Sequence, residues 1–120
     1  CTGGISFTGG TGTLNNVTSA NGGGAAQTSI TMNVTSATGD MVVDAISVGN
    51  AKAPLSGTNQ TNRWDIDSGD NGGAGSTEAG AATVTMSWTF TSSFVGLVGA
   101  NVVAGTQPVA AVNHWLLMGV

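Results

Sequence analysis

The side chains with the chemistry to bind or react are few, and the acidic ones crowd into one stretch. "DIDSGDNGG" places Asp65, Asp67, Asp70 and Asn71 within seven residues. Calcium asks for several hard oxygen ligands at such close range. The spacing departs from an EF-hand loop, however, in which a glycine follows the third ligand and a glutamate closes the site. The competing reading is a solvated Gly-rich turn whose Asp and Asn side chains bond their own backbone. That turn is the reading adopted, with calcium at these four residues as the one cofactor considered and none expected.

Nucleophiles and acids give less. His114 has no second His or Cys nearby to complete a metal set, and beside Trp115 it reads as a packing or interface residue. Glu78 in "GSTEAG" is an acid without an assignable partner carboxylate. The nucleophile-elbow pattern "GxSxG" does not occur, so the chain is read as a non-enzyme. Cys1 is the only cysteine, which excludes an intrachain disulfide. As first residue, Cys1 could carry a lipoprotein's acyl group, but a terminus set by cleavage or trimming is the expected reading.

Sugars are the remaining ligand class. Trp64, Trp88 and Trp115 carry the aromatic surface that stacks on a pyranose face. Trp88 falls on the inward side of its strand, which leaves Trp64 and Trp115 as the glycan-stacking pair. Asn-x-Thr acceptor sequons stand at Asn16, Asn33 and Asn59, and such triplets also arise by chance in an Asn/Thr-rich chain.

The elements that must position these residues read as strands. In "AATVTMSWTFTS", residues 81–92, Val84, Met86, Trp88 and Phe90 alternate with hydroxyl side chains. A period of two buries one face and leaves the other as a hydroxyl ladder. "TSITMNVTS" at 28–36 repeats the pattern through Ile30, Met32 and Val34. "GDMVVDAISVGN" at 39–50 reads as a strand buried on more than one side, or one with a bulge. "GISFTG" at 4–9, "QTNRWDI" at 60–66 and "FVGLVGANVVAG" at 94–105 read as further strands. "GGTGTLNN", "ANGGGAAQ", "NAKAPLSGTN" and "DSGDNGGAGSTEAG" read as turn-rich links. The fold class expected is all-β, an antiparallel, jelly-roll-like β-sandwich with little or no helix.

Composition narrows the function classes. Only 7% of the 120 residues are charged, the net charge is -4, and Lys52 and Arg63 are the only basic side chains. A phosphate-binding surface needs clustered Lys and Arg, so nucleic acid is not a partner. The same shortage argues against docking on anionic membranes, and no apolar run is long enough for a transmembrane helix. The low charge and abundant Thr, Ser and Asn suit a durable surface outside a cell or on a particle.

"ISFTG", "SATGDMVVDAISV", "QTNRWD" and "GAGSTEAGAATVTMSWTF" resemble, in this order, a Gly/Thr-rich domain of secreted bacterial and phage structural proteins. The resemblance spans roughly residues 4–103 and implies a jelly-roll or concanavalin-like β-sandwich without an assigned enzymatic activity. It carries no catalytic residue to this chain. Members have further strands ahead of "SFTG" and tend to stop after "VGLVGANV". The resemblance therefore implies a piece missing at the front and an extra strand at the back.

That extra strand is "VAAVNHWLLMGV", residues 109–120, among the most apolar runs in the chain. Residues 1–105 are expected to form the sandwich and 106–120 a C-terminal strand. An incomplete sandwich invites a strand from a neighbour. Val109, Val112, His114, Trp115, Leu116, Leu117 and Met118 are the residues expected in that intersubunit strand. The resulting expectation is a homo-oligomer, an open polymer, acting as a structural subunit of an extracellular or cell-surface filament. A virion decoration or fibre protein and a glycan-binding module of a secreted protein are the alternatives.

Overall fold

The computed structural model describes residues 3–49 and 54–106. Residues 109–120, with the whole expected intersubunit strand and Trp115, lie outside the described residues, as does Cys1. Eight strands follow in chain order: β1 Gly10–Asn21, β2 Gln27–Thr35, β3 Met41–Gly49, β4 Leu55–Ser56, β5 Thr61–Asp67, β6 Asn71–Ala79, β7 Thr83–Ser93 and β8 Val95–Ala104. There is no helix among the described residues.

All pairings are antiparallel, and they nest. β1 pairs β8, β2 pairs β7 and β3 pairs β6, as if one long hairpin had been rolled up. The roll makes a five-stranded sheet of order β1-β8-β3-β6-β5 and a three-stranded sheet of order β2-β7-β4. Eight strands in two such sheets are the double Greek key of a jelly roll. The innermost pair of the roll is open: β4 has two residues and β5 has moved to the edge of the larger sheet.

The alternation seen in the sequence builds the core. Ile30, Met32 and Val34 of β2 and Val84, Met86 and Trp88 of β7 meet Val42, Ile46 and Val48 of β3 and Leu97 of β8. Opposite them, Thr31, Asn33 and Thr35 stand across from Ser87, Thr85 and Thr83 on the outer face of the smaller sheet. Thr85 Oγ1 donates to Asn33 Oδ1 at 2.7 Å within this hydroxyl ladder.

Three sequence expectations require correction. "GGTGTLNN" is not a link but the first half of β1, interrupted by register shifts between Gly10 and Leu14 and between Asn15 and Thr18. Gly12 and Asn16 sit there at positive φ, 79° and 50°, a backbone that glycine and asparagine tolerate best. Much of "DSGDNGGAGSTEAG" is β6, an interior strand with Gly72–Thr77 buried. Conversely, "GISFTG" joins no ladder among the described residues: residues 3–9 lie over the outer face of the larger sheet, where Gly3 meets Trp64.

At Gly75 of β6 a side chain from the neighbouring strand occupies the space where a β-carbon would stand. A β-carbon on Gly75 would overlap the Trp64 indole and approach the Asp44 carbonyl at 3.1 Å. Gly75→Ala should therefore destabilise the fold by about 1–3 kcal/mol, the cost of overpacking. The urea midpoint measures this, and the same substitution in a Trp64→Ala background should cost clearly less. An equal cost in both backgrounds would show that the indole is not the obstacle.

Candidate functional site

The acidic stretch resolves into the β5–β6 turn. Asp67 Oδ1 accepts the Gly69 N–H at 2.9 Å, and Ser68 donates through both N–H and Oγ to the Asn71 carbonyl. Gly69 at φ 85° completes a turn whose Asp bonds its own backbone. Among the described residues no group of three or more His, Cys, Asp or Glu side chains that could hold a metal ion gathers.

The sequon asparagines are all exposed, but two have work of their own. Asn16 Nδ2 donates to the Thr35 carbonyl at 2.8 Å, sewing β1 to β2, and Asn33 belongs to the hydroxyl ladder. Asn59 sits at φ 70° in the turn between β4 and β5. Trp64 is half-buried, with Gly3 and Gly75 lying against its ring. The indole is thus engaged in packing within the chain.

Sequence reasoning missed the buried polar centre. Asp44 is 4% exposed on the inward face of β3. Its Oδ2 accepts Trp88 Nε1–H at 2.6 Å, and its Oδ1 accepts Ser76 N–H at 2.9 Å and Ser76 Oγ–H at 2.7 Å. Gln60 extends the cluster: Nε2 donates to Ser76 Oγ at 2.8 Å, and Oε1 accepts the Ser87 backbone N–H at 2.7 Å. The Gln60 amide therefore replaces a strand neighbour on β7. The available signal was register, since Asp44 occupies an inward position between Val42 and Ile46.

Burial pushes the Asp44 carboxyl above its ordinary pKa, against the lowering effect of the Ser76 and Trp88 bonds. Glu78, also raised, is shifted by burial first and by the charge of Asp44 second, and its Oε2 is buried without a hydrogen-bond partner. Asp44 is thus the neighbouring acid that the sequence could not supply for Glu78. The pair faces the sandwich core, where Asp44 is closed over by Trp88. At the other end, Asp40 is lowered by bonds from the Ala104 N–H and the Asn101 amide.

The outer face of the larger sheet is the conspicuous surface. A furrow of about 640 Å³ runs over β1, β8 and β3 beneath residues 3–9, with Trp64 at one end. Six large apolar side chains are exposed among the described residues, and four of them, Phe7, Leu14, Val17 and Val98, line this furrow. These four lie together on one face instead of being scattered singly over the surface. A second feature is an edge. β4 pairs only Leu55 with Thr89 and Ser56 with Trp88, so β7 from Thr83 to Met86 has no strand on that side among the described residues.

Comparison with protein-family models, curated proteins and solved structures finds no match.

The carboxyl environments make stability depend on pH in two opposed ways. A raised pKa means that the folded state holds its proton more tightly than the unfolded chain. The stabilisation from protonating Asp44 and Glu78 is full below their unfolded values and is lost as pH rises through their folded ones. The lowered Asp40 contributes above its unfolded value and loses that contribution as pH falls through its folded one. Tm should therefore rise on acidification from neutral pH, pass a maximum within the carboxylate range and then fall. Asp44→Asn should flatten the rise and leave the fall, as followed by thermal melts across pH. An unchanged rise would mean that Asp44 is not its source.

Proposed function

We propose that this chain is a non-enzymatic structural subunit that self-assembles by β-strand addition into an extracellular, pilus-like or sheath filament. The observation that carries the reading is the apolar furrow, where four of the six exposed large apolar side chains meet on one face. A surface of that kind is a liability on an isolated molecule and an asset in a polymer. The segment 109–120 supplies complementary material, with no Asp, Glu, Lys or Arg in it.

The remaining surface fits the same role. The hydroxyl ladder of β2 and β7 bears no charge, so subunits pack side by side without bringing like charges together. Each large apolar side chain buried between subunits adds about 1.5–3 kcal/mol, so a few suffice for a durable contact. A subunit that both donates and accepts through different surfaces makes a head-to-tail contact, which grows as an open filament unless it closes into a ring.

Full-length chain should give fibres in micrographs of purified material, and chain lacking residues 107–120 should remain monomeric by light scattering. Fibres from the truncated chain would overturn the role given to the segment. A closed trimer or other ring from the full chain would favour a virion decoration protein instead. Dispersed monomers that bind oligosaccharide, and lose it on Trp115→Ala, would favour the glycan-binding reading.

A further inference from the structure

We propose that the acceptor for segment 109–120 is the Trp64 furrow of a second copy, where the segment lies antiparallel to residues 3–9 and pairs with them as a third layer on the five-stranded sheet. The inference rests on the self-assembly reading above and names its contact.

Residues 3–9 provide the first argument. "GISFTG" has the composition and alternation of a strand, with Ile5 half-buried and Phe7 40% exposed, yet it joins no ladder. A segment with the alternation of a strand and no ladder neighbour among the described residues is a template for another strand. It lies over the furrow and lines it, so a strand added beside it would rest its side chains on Leu14, Val17 and Val98.

The furrow's chemistry selects the occupant. Gly9, Gly10 and Gly12 line one end, leaving backbone open to close approach, and the wall side chains are apolar. Asp44 is the only acidic residue there, and its carboxylate is turned inward to Ser76 and Trp88. A neutral, apolar segment suits such a surface, while a polyanion or a sugar does not. Segment 109–120 offers Val109, Val112, Trp115, Leu117 and Met118 without a charged residue other than what His114 can acquire.

Position and length agree. Gly105 N–H donates to the Gly9 carbonyl, so the chain beyond β8 leaves from the furrow's glycine end. The fourteen residues 107–120 span up to about 45 Å when extended, at roughly 3.3 Å per residue. That is enough to leave one copy and lie along the furrow of the next.

Cysteine cross-linking tests the contact in otherwise intact chain carrying Cys1→Ser. One preparation bears Val98→Cys, another bears Leu117→Cys or Trp115→Cys, and the two are mixed under mild oxidation. Disulfide-linked dimers should form on mixing, and a chain with both cysteines should give a ladder of covalent oligomers. A double variant that closes only within single chains would overturn docking between copies. Fibres that cross-link instead through Thr85→Cys on the β7 edge would overturn the furrow as acceptor while leaving self-assembly intact. If the parent chain forms no fibres and no cross-link appears, both readings fall.

Discussion

A carboxylate held between two sheets is the constraint on which the rest of this sandwich depends. Asp44 is the one buried carboxylate in a largely apolar interior among the described residues, where an uncompensated charge is expensive. Its compensation comes from both sides: Ser76 on the neighbouring strand and Trp88 from the opposite sheet. The bond from Trp88 fixes how the sheets face one another, since the indole nitrogen reaches the carboxylate in one register only. Hydrophobic packing alone tolerates sliding, whereas this contact does not.

The same cluster accounts for the unusual strand distribution. Because Gln60 presents its amide to both Ser76 and the Ser87 backbone, β7 needs no full-length neighbour at that point. β4 is accordingly only two residues long, and the chain crosses at once to place β5 beside β6. The fifth strand widens the larger sheet and brings Trp64 over Gly75, and that indole stands at one end of the furrow. A polar contact in the core thus determines an apolar surface on the outside.

How much of this was legible follows from what kind of burial each strand uses. β2 and β7 bury side chains on one face, so alternation in hydropathy revealed them, whereas β8 was read from its β-branched residues and interior glycines. β6 buries glycine backbone: Gly72, Gly73 and Gly75 are buried, Gly75 against the Trp64 indole, and to a reading based on side chains they look like a loop. β1 was hidden for a related reason, because its bulges at Gly12 and Asn16 demand the residues that elsewhere make turns. The opposite error fell on residues 3–9, whose pattern is that of a strand but which join no ladder among the described residues. The acidic stretch was legible as a turn, since Asp–Ser–Gly sequences bond their own backbone. Asp44 was not singled out, because one acid in an apolar run becomes informative only once its register is known.

The hydroxyl face of β2 and β7 has a consequence of a different kind. Neither strand carries a single ionisable side chain, and the groups presented outward are Thr, Ser and Asn. Dissolved ions act on surfaces by screening charge, with a reach of about 10 Å at 0.1 M salt. A face without charge gives them nothing to screen. The contacts of this surface are therefore governed by hydration and shape, and the screening that weakens surface ion pairs has no hold on them.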